Sequence, residues 1–174
     1  MESRIQDLLA KQDIADVLAR FMRACDRGDV AALRQCYHAG AIEDHAGKYF
    51  GDAQEWIDTI ADRITAPDHL TTHVLSNILV DVDGDTARAE AYVTTTSRRL
   101  IDGQSWDVQT QSRLIDRFDR IAGDWRISHR VLVMEWCREY PSSESWGLGT
   151  SFADPSGIAR GAKYPHDPVY TVHA

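Results

Sequence analysis

Apolar residues at Ile5, Leu8, Leu9, Ile14, Val17, Leu18, Phe21 and Met22 recur three and four positions apart. That is the spacing of one buried face of an amphipathic helix, here over residues 4–25. Gly28, inside Asp26-Arg27-Gly28-Asp29, suits the position just past a helix cap. Asp29 suits the N-cap of a short helix holding Val30, Leu33 and Cys36. A short strand is expected around Ala41 to Asp44, with a hairpin through Ala46-Gly47 into Tyr49-Phe50. Residues 52–64 predict a third helix, capped by Asp52, buried through Trp56, Ile57, Ile60 and Ile64, and stopped by Pro67.

After Pro67 the period changes from 3.6 to 2. Strands are expected over about 70–82, Thr86–Leu100, Trp106–Arg120 and Trp125–Arg138, with turns at Asp83-Gly84, Asp102-Gly103 and Ala122-Gly123-Asp124. Strands usually run to about five or six residues. Ones this long predict a strongly curved antiparallel sheet whose concave face the N-terminal helices cover. From Pro141 onward Gly, Pro and Ser recur without periodicity, yet Trp146, Phe152, Tyr164 and Tyr170 are retained. Disordered segments are poor in aromatics. The expectation is therefore a domain over residues 1–140 and a tail over 141–174 that lies on it, or on a neighbouring subunit, as a lid or interface strap.

One strand is chemically out of place. The face Thr71, His73, Leu75, Asn77, Leu79 mixes an imidazole and a carboxamide with leucines. Burying an unpaired polar group costs about 1–3 kcal/mol, so such groups are kept inside mainly where they pair with each other or meet a ligand. This strand points to a small-molecule site enclosed by the fold.

Composition removes several function classes. The 174 residues are 43% hydrophobic and 26% charged, in the range of one ordinary globular domain. A net charge of -8, with Arg98-Arg99 the only adjacent basic pair, argues against nucleic acid and against an anionic membrane surface. Cys25, Cys36 and Cys137 form no CxxC and make an odd count. They predict reduced thiols rather than a disulfide frame or a zinc site. Glu2, Arg4, Gln6 and Asp7 leave no apolar signal core at the N-terminus, and no apolar run has membrane-spanning length. A soluble, cytoplasmic protein without a metal is expected.

Three helices, a short hairpin and four long strands follow the element order of the nuclear transport factor 2 superfamily, and the chain resembles its SnoaL-like branch over roughly residues 5–138. The resemblance is carried by Ile14-Ala15-Asp16-Val17-Leu18 leading to Cys25-Asp26-Arg27-Gly28-Asp29, by Cys36-Tyr37-His38 leading to Asp44-His45, by Thr72-His73-Val74-Leu75-Ser76-Asn77, and by Trp125-Arg126-Ile127-Ser128-His129-Arg130. Scytalone dehydratase, hexachlorocyclohexane dehydrochlorinase and bile acid dehydratase belong to this branch. The resemblance implies an α+β fold, a cone-shaped α+β barrel, that works as a cofactor-free lyase and commonly as a homotrimer. It further implies an acid at Asp26 paired with a base at His73, an arginine at Arg130 that approaches the leaving group, and a pocket tyrosine at Tyr49.

Imidazole is the side chain best suited to take a proton near neutral pH, and an adjacent carboxylate fixes its tautomer. Arg130 would supply a permanent positive charge. Tyr49 would serve as donor or oxyanion clamp, and Asn77, His45, Trp56 and Phe21 would contact the substrate. On its face, Arg130 is expected to have Ser128, Leu132, Met134 and Trp136. Structural alternatives stand beside these roles. Asp26 could cap a helix, His73 and Arg130 could be satisfied structural groups, Tyr49 could be a core aromatic, and His45 could lie on the surface. The function expected is a dehydration or related elimination, an aldol-type cleavage or an isomerisation on a hydrophobic cyclic or aromatic molecule. The alternatives are a non-catalytic small subunit of a ring-hydroxylating dioxygenase and a small-molecule-binding module.

Overall fold

A computed structural model of the chain describes residues 2–143 and 159–172. The chain folds in the order α1 (Glu2–Arg27), α2 (Val30–Gln35), β1 (Tyr37–His45), β2 (Phe50–Asp52), α3 (Ala53–Thr65), β3 (Thr71–Asp83), β4 (Thr86–Ile101), β5 (Gln104–Ile121) and β6 (Asp124–Pro141). Asp29 caps α2 by accepting from Ala32 N–H, and Asp52 caps α3 by accepting from the N–H groups of Gln54 and Glu55. These bonds occupy donors that a helix start otherwise leaves unpaired.

The end of α1 positions the site. Gly28 adopts φ +68, and the Asp29 N–H returns 2.9 Å to the Ala24 carbonyl while the Gly28 N–H reaches Cys25. This is a Schellman termination. A Cβ on Gly28 would meet the Ile64 carbonyl oxygen at 2.5 Å, because α1 ends against the last turn of α3. Gly28→Ala therefore combines left-handed strain with a backbone clash. It is expected to lower stability by about 1–3 kcal/mol in urea denaturation.

The strands form one open α+β sheet in the order β2-β1-β6-β5-β4-β3. The long hairpins are antiparallel, as the turns predict. The sheet as a whole is mixed, because β1 runs parallel to β6. No hairpin links these two strands, so nothing local sets their relative direction. On the concave face Ala87, Ala89 and Val93 of β4, Leu114 and Phe118 of β5 and Ile127 of β6 join Ile14, Leu18, Phe21 and Met22 of α1 and Ile57 of α3 in one core.

Three bulges shift four expected positions. Between Ser76 and Leu79 the β3–β4 register slips, and Asn77 takes φ 51, a backbone region that asparagine tolerates better than most residues. Two residues then oppose Ala91, and every following side chain changes face. The inner face reads Thr71, His73, Leu75, Val80, Val82, while Asn77 and Leu79 are exposed. Two further slips on β6 remove Ser128 and Trp136 from the face of Arg130, Leu132 and Met134. The Ser128 hydroxyl instead donates to the Arg117 carbonyl, and Trp136 is 41% exposed.

Residues 159–172 pack against the end of α1. The Tyr164 N–H donates to the Arg27 carbonyl at 2.7 Å, and Lys163 Nζ to the Asp26 carbonyl at 2.9 Å. These are carbonyls that the helix itself leaves unpaired. Arg27 reaches Asp167 at 3.2 Å. Burial, with Arg27 nearby, pulls the Lys163 amine below its usual range although Asp26 opposes this. Trp146 and Phe152 lie outside the described residues, and among those described no helix is long and apolar enough to cross a membrane.

Candidate active site

Asp26, on the last turn of α1, faces His73 on β3. One carboxylate oxygen lies 2.6 Å from His73 Nδ1, and the other accepts the His73 backbone N–H at 3.1 Å. The two bonds fix both the ring and the strand that carries it. A carboxylate only accepts, so Nδ1 carries the hydrogen and Nε2 keeps its lone pair free. Asp26 is 8% exposed, so the pair is sheltered while the ring borders a cavity.

That cavity has a volume of about 230 Å³. Its apolar wall comes from Phe21, Trp56, Ile60, Val93, Leu114 and Leu132, and hydroxyls of Thr95, Ser97, Thr110 and Ser112 line the sheet side. The size and the apolar wall suit one ring-sized molecule. Phe21 and Trp56 stack with centroids 6.4 Å apart. Cys25 also borders the space, but burial and the neighbouring Asp26 charge push its thiol far up, so it stays protonated and is no nucleophile. His69 lies here too, although its sequence position suggests only a loop. Burial, then Lys163, lowers its tendency to take a proton, and its Nε2 pairs with the Thr71 hydroxyl at 2.9 Å.

Arg130 is 1% exposed and lies in the cavity wall. Its Nε and one terminal nitrogen bond the two Asp116 oxygens at 2.8 and 2.6 Å, and its guanidinium lies 4.1 Å from the centre of the Phe21 ring. Burial works against the charge, but Asp116, Tyr37 and Glu43 together outweigh it and hold Arg130 above its ordinary range. The expected free positive charge is therefore largely spent on Asp116. What remains is Nη1, which is buried without a partner among the described residues. A buried donor of this kind costs about 1–3 kcal/mol until something accepts from it.

Two expected site residues lie elsewhere. The Tyr49 hydroxyl donates to the Asp52 carbonyl at 2.8 Å and closes the β1–β2 hairpin, outside the cavity lining. Asn77 sits on the exposed bulge. An Asn77→Gly variant should lose no stability in urea denaturation, since glycine adopts positive φ freely; a lowered midpoint would mean that the Asn77 side chain makes a contact that glycine removes. His45, Trp56 and Phe21 do line the cavity. The sequence reading passed over Glu43, Tyr37 and Asp116, all buried. The Tyr37 hydroxyl donates to Glu43 at 2.6 Å, and the other Glu43 oxygen lies 2.8 Å from His45 Nδ1. The signal for Glu43 and Asp116 is a charged residue on an otherwise apolar alternating face, as with Asp116 between Leu114 and Phe118.

Among the described residues no group of three or more His, Cys, Asp or Glu could hold a metal ion. The fold is shared widely. A hexachlorocyclohexane dehydrochlorinase of Novosphingobium barchaimii superposes with TM-score 0.69 at 16% identity, covering 87% of this chain and 99% of that one. A protein of Novosphingobium aromaticivorans assigned as a scytalone dehydratase gives 0.68 at 16%, covering 84% and 97%. The beta subunit of a protein from the same organism, assigned as an aromatic-ring-hydroxylating dioxygenase, gives 0.60 at 20%, covering 76% and 93%. No curated protein matches the sequence. A family model described as the SnoaL-like domain matches residues 6–131. The chain belongs to the SnoaL-like family of the nuclear transport factor 2 superfamily.

Proposed function

We propose that the chain is a cofactor-independent lyase that eliminates water or a comparable leaving group from a hydrophobic cyclic or aromatic molecule. The observation that carries this reading is the 2.6 Å contact of Asp26 with His73 at the edge of an apolar cavity. His73 Nε2 takes a carbon-bound proton, the C–H electron pair becomes the new double bond, and the leaving group departs with its own pair. Asp26 stabilises the imidazolium as it forms. Arg130 Nη1 offers a hydrogen bond to the oxygen or halide on which charge develops. A positioned base contributes about 10²–10⁴ in rate and an aimed donor about 10²–10³. That is enough for a proton made acidic by a neighbouring carbonyl or for a good leaving group.

The related dioxygenase beta subunit gives the competing reading, in which the chain only supports an assembly. A supporting subunit has no use for a sheltered imidazole–carboxylate pair facing a cavity, and this favours catalysis. A homotrimer goes with the lyase reading, stable association with a larger iron protein with the other. The test is incubation of the purified protein in D₂O with cyclic β-hydroxy ketones and chlorinated cyclohexanes, followed by NMR. Formation of the alkene, or deuterium at the carbon beside the carbonyl, is expected. A complete absence of both would remove the lyase reading, and a ligand recovered unchanged from a tight complex would make the chain a binder.

A further inference from the structure

The mechanism leaves a second imidazole–carboxylate pair unused on the cavity wall. Glu43 is 0% exposed, and both of its oxygens are engaged, one by His45 Nδ1 and one by the Tyr37 hydroxyl. By the argument applied to Asp26, Nδ1 of His45 carries a hydrogen and Nε2 is turned away from Glu43. The ring lies 4.9 Å from that of Trp56 and borders the same cavity as His73. His45 is on β1 and His73 on β3, near opposite ends of the strand order. The curved sheet thus presents the two imidazoles from different flanks.

Glu43, Arg130 and Asp116 form one row of buried charges beside His45. In the strand register Arg130 lies between Glu43 on β1 and Asp116 on β5. One guanidinium faces two carboxylates, so this buried row is one positive charge short, and buried charge needs compensation. Burial pushes the Tyr37 phenol well above its usual range against the pull of Arg130, and Glu43 adds to this. Tyr37 is thus a neutral donor and changes nothing in the count. An imidazolium at His45 brings it to zero.

We infer that His45, oriented by Glu43 and Tyr37, is the acid that protonates the departing oxygen. This deepens the lyase reading and rests on it. As the C–H pair becomes the double bond, the C–O pair passes to oxygen, which takes the Nε2 proton of His45. His73 ends protonated and His45 neutral, and exchange with water restores both, so the net reaction is elimination alone. Arg130 cannot take this part, since a guanidinium does not give up its proton.

The test is a series of 3-aryloxycyclohexanones whose phenols run from 4-nitrophenol, which leaves unaided, to 4-methoxyphenol, which needs a proton. In the unaltered protein kcat/KM should vary little along the series. His45→Gln should lose about 10²-fold with 4-methoxyphenol and only a few-fold with 4-nitrophenol, whereas His73→Gln should lose heavily and evenly on all members. In His45→Ala, added imidazole should restore the slow members selectively, a readout that a merely misfolded protein would not give. Equal slowing of every member by His45→Gln, or none, rejects the proton-donor role and leaves the lyase intact. An unaltered protein inert toward the whole series, in which no aryl ether is cleaved, rejects elimination and this role together.

Discussion

His73→Ala is expected to lower kcat by about 10²–10⁴-fold on any substrate the protein turns over, while the melting temperature stays close to that of the parent. The rate loss follows from removing the imidazole whose Nδ1 is held by Asp26 and whose other nitrogen is free beside the cavity. The small effect on stability follows from the backbone: the second Asp26 oxygen bonds the main-chain N–H at position 73, which alanine keeps. Asp26→Asn separates orientation from proton transfer. A carboxamide can turn its NH₂ toward Nδ1 and select the opposite tautomer, with the hydrogen on Nε2 where a base needs a lone pair. Its kcat should fall nearly as far as that of His73→Ala, with KM little changed. Steady-state rates, with circular dichroism to check the fold, decide the matter. Full activity in His73→Ala would assign the base elsewhere.

The second large effect is on stability. Asp116→Ala strands Arg130 in the core, where two of its nitrogens lose their partner and Nη1 already has none among the described residues. Breaking a buried pair from one side costs about 3–5 kcal/mol, a large part of the margin of a typical domain. The urea midpoint should fall accordingly. In many proteins, replacing both partners by apolar residues restores stability. Here Asp116→Leu with Arg130→Met should recover only part of the loss, because Glu43, opposite Arg130 across β1 and β6, then loses the guanidinium facing it. Full recovery in the double variant would mean that Glu43 and Arg130 are not coupled.

These residues mark how far the sequence could be read. Helix faces, caps and hairpin turns are local, so α1, α3 and the four long strands could be placed from spacing alone, and Gly28 and Asp52 from their chemistry. Asp26 and His73, far apart along the chain, could be matched because a resemblance supplied the pairing; spacing alone could not. Asn77 was misplaced because alternation assumes unbroken pairing, and one bulge reverses every later side chain. The same error put Ser128 and Trp136 beside Arg130. Tyr49 depends on how tightly the hairpin folds back, which composition does not set. Glu43 and Asp116 gain their meaning only across strands: the parallel pairing of β1 with β6 brings Glu43 level with Arg130, and no local pattern announces that pairing.

The strap formed by residues 159–172 lies beyond the family match, which ends at residue 131, yet it bonds the main-chain oxygen of Asp26. The matched region carries the acid, and a segment outside that match bonds the helix terminus beneath it. A change at Lys163 can therefore reach Asp26 through its backbone without touching a residue that lines the cavity.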